Sequence, residues 1–416
     1  MDRKNNFYII DNNSDKNLWC FYLYNGGLYY QNNKDTFKDD IKIIDDVKTY
    51  DLCIDNHQRI HILCVIHSGE LVYLVFKDDQ WYKNTLHTFP RDSNGIDEVN
   101  IITINDIIHI FYNFRFIAPN IKFYNYKSFI MHGYKTEYEW VQSYIGTFHK
   151  PNNPKYFIEF DSEQNLHYFY LSQNRKSASI NTLVFNKKIM KWFEPKSIKL
   201  SILNTELLQV LIDTSNKIHF IFKDMNTEQV YHYSIDNNSS DKNNKYSLIT
   251  SSKDTYDFKI LEYNRKLCVS WISEDSISYI LSHDLGKTWT DISKHPLSKL
   301  KELKYINLDR KKTSPKAISS FGYLENNGVF ILGINDIPKS HNNVVKADRT
   351  NNKLSNIVTL DAKVDEDITP TINDNNDLHS TLKENGSKST PLDTRETEKK
   401  EQSLWKKITN YLTLKE

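Results

Sequence analysis

The chain has 416 residues, of which 54 are Lys or Arg and 53 are Asp or Glu, and the resulting net charge of +1 supplies no global field to draw in nucleic acid. Aromatic residues at 13% against only 11 Gly exclude a disordered or helical-bundle composition and indicate many half-buried strands. The four cysteines (Cys20, Cys53, Cys64, Cys268) form no CxxC pair and lie inside apolar runs, where reduced thiols pack as small hydrophobes; a small disulfide-stapled fold is excluded.

The opening MDRKNNFYII contains no apolar run of signal-peptide length, and no stretch of eighteen uncharged apolar residues follows anywhere in the chain. The expectation is a cytoplasmic protein with no signal peptide and no transmembrane segment. Forty-four Asn, grouped with Lys, Asp and Ser between the apolar runs, suit turns.

Along the chain a unit recurs in which a polar turn precedes an apolar pair around His and then an aromatic-rich strand. It reads DNHQRIHILCVI at 55–66, NDIIHIFYNF at 105–114, EQNLHYFYL at 163–171 and SNKIHFIF at 215–222. The histidines are His61, His109, His167 and His219, spaced by 48, 58 and 52 residues, and looser copies place Trp19 before the first and Cys268 after the last. Each unit resolves into four β-type runs; between Tyr50 and Leu86 these are YDLCID, IHILCVI, ELVYLVF and QWYKNTL. A second landmark advances in step, a large aromatic in the fourth run of each unit: Phe37, Trp81, Trp140, Trp192, Tyr246 and Trp289.

A four-stranded antiparallel meander repeated at this period cannot cover both of its faces alone, and radial packing of successive copies gives a β-propeller. The units fall at 6–47, 48–92, 96–147, 153–200, 202–250 and 252–295. Beyond Pro296, AISSFGYLENN and GVFILGIND read as the first two strands of another unit, VVKADR and SNIVTLD as its outer strands, and LKYINL at 303–308 fits no unit. The expected architecture is therefore an all-β, six- or seven-bladed propeller over 1–340, or to 361 if the last unit is included.

The third and fourth runs of the sixth unit are joined by Ser282, His283, Asp284, Leu285, Gly286, Lys287, Thr288 and Trp289, an SxDxGxTW pattern. The chain thereby resembles the Asp-box (BNR), sialidase-like propellers, in which this element forms the turn between the outer strands of a blade. The spacing has a local reason: Ser and Asp side chains satisfy turn amides, Gly adopts positive φ, and Trp buries its ring between blades. In this reading Ser282, Asp284, Gly286, Thr288 and Trp289 are structural. FKDDQW at 76–81 and FNKKIMKW at 185–192 are degenerate echoes.

The resemblance implies for an active sialidase three arginines gripping a carboxylate, a Tyr and Glu nucleophilic pair and an Asp acid. That set is not found in the sequence; RFIAP, from Arg115 to Pro119, is a loose echo of the Arg-Ile-Pro element and lies in the third unit. A shared fold is not a shared activity. No GxSxG, Walker-type loop or GxGxxG is present, and no catalytic residue, cofactor or metal site is expected.

Imidazoles converging on a propeller axis would suit zinc or copper, but a recurring His that hydrogen-bonds a neighbouring turn or strand explains the same spacing and is preferred. His57, His67, His232 and His283 form no HxH or HExxH motif. The pairs Asp39, Asp40 and Asp78, Asp79 read as solvated turns. Aromatic runs at Phe123–Tyr126 and Tyr168–Tyr170 could form a sugar or peptide platform, although strand alternation makes most of their rings core.

Residues 341–400 hold no Phe, Trp or Tyr, which is the composition of a flexible tether, taken here as a disordered linker over 362–400. It leads to EQSLWKKITNYLTLKE at 401–416, where Leu404, Trp405, Ile408, Tyr411 and Leu412 share one helical face. So short a helix needs a surface to fold against. Its three candidate targets are a partner protein, an anionic membrane and the propeller's own flank. Lys406, Lys407 and Lys415 against Glu401 and Glu416 carry too little charge for strong membrane anchoring, which favours an unidentified protein partner. The expected function is a non-enzymatic interaction scaffold; the alternative is a sialidase-like carbohydrate-binding or glycoside-hydrolysing protein.

Overall fold

The computed structural model describes residues 7–334 except 13–16, 33–39, 90–95, 117–126, 138, 149–154, 174–176, 237–245, 252–254, 275, 297–299, 308–317 and 326–327. All of them fall within Met1–Asp361, the first of the two units into which the chain divides. Phe37, the runs proposed as outer strands after residue 340, the tether and the helical segment with Leu404, Trp405, Ile408, Tyr411 and Leu412 lie outside the described residues.

Six antiparallel meanders follow one another, as the repeat predicts. The first contains β1 (Phe7–Asn12), β2 (Asn17–Tyr24), β3 (Gly27–Asn32) and β4 (Ile41–Ile44). The second contains β5 (Val47–Ile54), β6 (Ile60–Ile66), β7 (Glu70–Lys77) and β8 (Gln80–Thr88), and the third β9 (Ile96–Ile104), β10 (Ile107–Phe116), β11 (Lys127–Lys135) and β12 (Trp140–Phe148). In the fourth, β13 (Tyr156–Phe160), β14 (Leu166–Gln173) and β15 (Ala178–Asn186) are followed by an outer strand split into β16 (Lys191–Trp192) and β17 (Lys196–Leu200), both paired to β15. The fifth holds β18 (Thr205–Ile212), β19 (Lys217–Asp224), β20 (Val230–Asp236) and β21 (Ser247–Thr250). The sixth holds β22 (Thr255–Tyr263), β23 (Lys266–Ser273), β24 (Ser276–Ser282) and β25 (Ser293–Pro296).

The chain then adds β26 (Lys301–Asn307), β27 (Ile318–Glu325) and β28 (Gly328–Ile331). Here the sequence reading needs correction. The unassigned run at 303–308 is the first strand of this last unit, and the two runs read as its first and second strands are its second and third. The reason is long-range: β26 lies parallel to β1, with Phe7 opposite Leu303 and Ile10 opposite Ile306, so the last three strands join the first meander in one seven-stranded sheet. A backbone ladder of this kind leaves no mark on the local apolar pattern of either strand.

Burial follows strand position. In the second sheet β6 is buried along its whole length, whereas most of β8 is exposed, as expected when inner strands are covered on both faces and outer strands meet solvent. The core lies between sheets. Ile104, Phe111 and Ile130 pack with Tyr156, Tyr168 and Phe185 between the third and fourth. Val230 and Ile249 pack with Phe258 and Trp271 between the fifth and sixth. Each fully covered ring contributes about 2–3 kcal/mol by leaving water. First strands β5, β9, β13, β18, β22 and β26 surround a central cavity, completing the propeller arrangement.

Tight hairpins account for part of the Asn and Asp content. Asp78 and Asp79, Asn105 and Asp106, and Asn264 and Arg265 all have positive φ at both central positions, the geometry that joins twisted strands with least splay. The pair Asp78 and Asp79 is thus a turn, as read from sequence.

Candidate functional site

The recurring histidines organise the contacts between sheets. His61, His167 and His219 stand near the start of a second strand, and each places Nε2 3.1 Å from Oδ2 of the Asp six residues earlier: Asp55, Asp161 and Asp213. The other oxygen of each carboxylate accepts main-chain N–H groups of its turn, from His57 and Arg59, from Asn165, and from Ser215 and Lys217. Burial works to raise Asp55, but donors on His61 and Arg59 outweigh it and hold the carboxyl down at about 2. Asp161 and Asp213 are lowered by the same balance.

From the second strand the network crosses to the third. His61 Nδ1 lies 2.7 Å from Tyr73 Oη, His109 Nδ1 3.0 Å from His132 Nε2, and His219 Nδ1 3.0 Å from His232 Nε2. It then meets an aromatic of the next sheet: Trp140 packs edge-on against Tyr73, Trp192 donates its indole N–H to His132 Nδ1 at 3.2 Å, and Trp289 packs edge-on against His232. Burial lowers His61, lowers His109 and His232 to about 3, and takes His132 well below the usual histidine range. In these three units the two landmarks of the repeat are the two ends of one inter-sheet contact. Among the described residues, no group of three His, Cys, Asp or Glu is placed to hold a metal ion.

The SxDxGxTW segment forms the turn between β24 and β25. Ser282 Oγ accepts the Gly286 N–H at 2.7 Å and donates to Asp284 Oδ1 at 2.8 Å; Asp284 also accepts from the Lys287 and Thr288 amides and the Thr288 hydroxyl. The Thr288 donors bring the Asp284 carboxyl down to about 2. Gly286 has φ +85°, and a Cβ there would stand 2.5 Å from His232 Cε1. Trp289 completes the inter-sheet contact, so Ser282, Asp284, Gly286, Thr288 and Trp289 stand together in a turn that seals the fifth sheet against the sixth.

Two cavities among the described residues carry polar and aromatic side chains. The central one, about 310 Å³, is lined by Asp51, Glu98, Glu159, Glu302, Lys259 and Lys304, with Asn100, Gln209 and Tyr156 among the uncharged groups. Asp51 is nearly enclosed: Tyr8 donates its hydroxyl, Lys304 Nζ lies at 3.0 Å, and the Ile101 N–H at 2.9 Å. Lys259 pairs with Glu302. No arginine lines this cavity among the described residues; Arg115 stands near the end of β10, and 117–119 lie outside them.

The second cavity, about 540 Å³, lies on one face of the seven-stranded sheet, across β1, β2, β3, β26 and β27. Phe7 and Tyr22 stack at 5.9 Å with 28° between planes, and Lys301 Nζ stands 5.4 Å from the Phe7 ring centre. Asp40 accepts the Tyr22 hydroxyl and the Gln31 amide, and Tyr323 closes the far side. Sequence reading assigned Asp40 to a solvated turn and did not single out Phe7, Tyr22 or Tyr323. Phe7 and Ile9 share one face of β1, and the pairing of β1 with β26 brings Lys301 and Tyr323 to them. Of the aromatic runs considered as platforms, Tyr168 and Phe169 are core and Phe123–Tyr126 lies outside the described residues.

No family model matches the chain, and no curated protein matches it in sequence. Solved structures overlap it at low identity. A fucose-specific lectin from Aleuria aurantia matches at 12% identity with a TM-score of 0.43, covering 71% of this chain and 96% of that one. The SapL1 lectin in complex with alpha methyl fucoside matches at 12% and 0.39, over 69% and 96%. The Dos1 propeller matches at 7% and 0.42, over 69% and 72%. Overlaps this shallow leave the propeller arrangement resting on strand order, inter-sheet packing and the central cavity.

Proposed function

We propose that this chain is a non-enzymatic recognition propeller and that the cavity on its seven-stranded sheet holds a neutral sugar ring. The supporting observation is the stacked Phe7 and Tyr22 pair beside Asp40, Gln31 and Lys301 in a cavity of about 540 Å³. A pyranose presents an apolar C–H face and a rim of hydroxyls. Aromatic faces take the first at low entropic cost, and carboxylate, amide and ammonium groups take the second. Asp40 and Lys301 cancel in charge, matching an uncharged ligand. Asp40 is the one carboxylate in the lining among the described residues, whereas glycoside hydrolysis ordinarily uses two; recognition is therefore preferred over cleavage.

The test is calorimetry and saturation-transfer NMR against a panel of methyl pyranosides. The expected result is binding by the wild-type chain that falls at least about tenfold in Phe7→Ala and in Asp40→Asn, with unchanged melting temperature. Absence of binding by every sugar at millimolar concentration would refute the reading.

A second reading rests on the helical face of Leu404, Trp405, Ile408, Tyr411 and Leu412 behind an aromatic-free tether. That segment docks on a partner protein, and the chain serves as a scaffold. A pull-down comparing the full chain with one ending at Lys400, and with Leu404, Trp405 and Ile408 changed to Asp, should lose a common partner in both altered forms. Recovery of the same partners by all three forms overturns it.

A further inference from the structure

The outer edge of the fourth sheet carries charge and apolar surface that the fold does not use. Between Asn186 and Leu200 stand five lysines, Lys187, Lys188, Lys191, Lys196 and Lys199, against one acid, Glu194. This segment is therefore +4 in a chain of net charge +1, and all the other residues together are −3. Among the described residues, no carboxylate lies within ion-pair distance of these lysines.

The turn between β15 and β16 holds the place that SxDxGxTW holds in the sixth sheet, and it is built differently. Asn186 Oδ1 accepts the Lys188 N–H at 3.0 Å and the Ile189 N–H at 3.2 Å, while Met190 and Trp192 pack inward with Tyr168 and Phe185. The turn thus takes nothing from the side chains of Lys187, Lys188 or Ile189, and Ile189 is 54% exposed. Strand pairing sorts the residues that follow. Trp192, opposite Phe185, faces the third sheet; Lys191, opposite Asn186, and Phe193, whose N–H donates to the Val184 carbonyl, face the other way. Lys196, opposite Thr182, shares that second face, and the Phe193 ring there is 50% exposed. None of these residues lines either cavity, so the surface is independent of sugar binding.

We propose that this edge seats the protein on an anionic lipid surface, with the ammonium groups of Lys187, Lys188, Lys191 and Lys196 among the headgroups and Ile189 and Phe193 reaching the acyl chains. Half-exposed Ile and Phe flanked by lysines match an interface that is anionic outside and apolar within, and long lysine stems keep the charge in the outer layer while the apolar ends enter. Each lysine at such a surface strengthens attachment about fivefold at low salt. A polynucleotide would answer the charge but leave Ile189 in water.

Co-sedimentation of the full chain with vesicles of phosphatidylserine and phosphatidylcholine, and with phosphatidylcholine alone, tests this. Wild type pellets with the anionic vesicles only, and added salt weakens the attachment. Lys187→Ala combined with Lys188→Ala weakens it at least about tenfold. Ile189→Ser weakens it several-fold, alone or with Phe193→Ser, and leaves the melting temperature unchanged when made alone. Lys83→Ala, on the second sheet, has no effect. Three results would overturn the proposal: no pelleting with anionic vesicles, attachment of the double lysine variant equal to wild type, which would assign it to another part of the chain such as 401–416, or full attachment of Ile189→Ser with equal binding to oligouridylate, which marks a bare polyanion surface.

Discussion

His232 Nε2 stands 3.0 Å from His219 Nδ1, and both rings are buried between the fifth sheet and Trp289 of the sixth. His219 Nε2 faces a carboxylate oxygen of Asp213, which can only accept, so in the neutral pair protons run in one direction, from His232 to His219 to Asp213. The same direction holds from Trp192 through His132 to His109. The first chain of donors joins a turn to two strands of one sheet, and the second joins two strands to the neighbouring sheet.

Acid should break these contacts well before it reaches the carboxylates. Burial lowers His61, His109, His132 and His232 in the folded state, so below an unfolded value of about 6.5 the unfolded chain takes up protons that the native one refuses. Stability is full above that pH and falls as the pH drops from there toward the folded values, by about 1.4 kcal/mol per pH unit for each such histidine. Melting temperatures should be level from pH 8 to 7 and decline steeply from 6.5 to 5. A level profile down to pH 5 would contradict the neutral pairs.

Asp213→Ala removes the acceptor of His219 and of two turn amides at once. The expected loss is about 3 kcal/mol, because buried donors are left without partners. Urea unfolding measures it, and a loss below about 0.5 kcal/mol would place the aspartate outside the stabilising network.

Thr182 occupies the third-strand position that Tyr73, His132 and His232 fill in other sheets, and it is too short to reach its histidine. Both Thr182 Oγ1 and His167 Nδ1 are buried without partners. Thr182→Val, which keeps the shape and deletes the orphan hydroxyl, should raise stability by about 1 kcal/mol in the same urea assay; destabilisation would mean that the hydroxyl is satisfied in solution.

Gly286→Ala meets two penalties, a positive φ and a Cβ 2.5 Å from the His232 ring. Strain alone costs about 1–2 kcal/mol, and displacing His232 opens its contact with His219. The variant should unfold at least about 2 kcal/mol more easily, with tryptophan fluorescence reporting a loosened Trp289. Wild-type stability in this variant would show that the turn shifts freely.

Much of the fold was legible. The unit around His61 was resolved strand by strand, from Tyr50 to Leu86, because period-two alternation and turn residues are local properties. The inter-sheet contacts were half legible. His and Trp landmarks were seen to advance together, and an Asp six residues before His61, His167 and His219 was present in the text as well, yet the third-strand partners Tyr73, His132 and His232 carry no repeat signature because their residue type varies.

By itself the amino-acid sequence marked the four-stranded unit, the approximate bounds of six copies of it and the turn at Ser282–Trp289, and left six or seven blades open; what it marked depends on residues close together in the chain. The tertiary structure alone decided where the two ends meet. Tyr305 donates its hydroxyl to Asp11 across 294 residues, and β26 pairs with β1 through backbone groups that every residue possesses. Both cavities follow from that closure, since Phe7 meets Lys301, and Asp51 meets Lys304, only when the seam forms. Local pattern selects strands; which strands become neighbours is settled by the balance of packing over the whole ring.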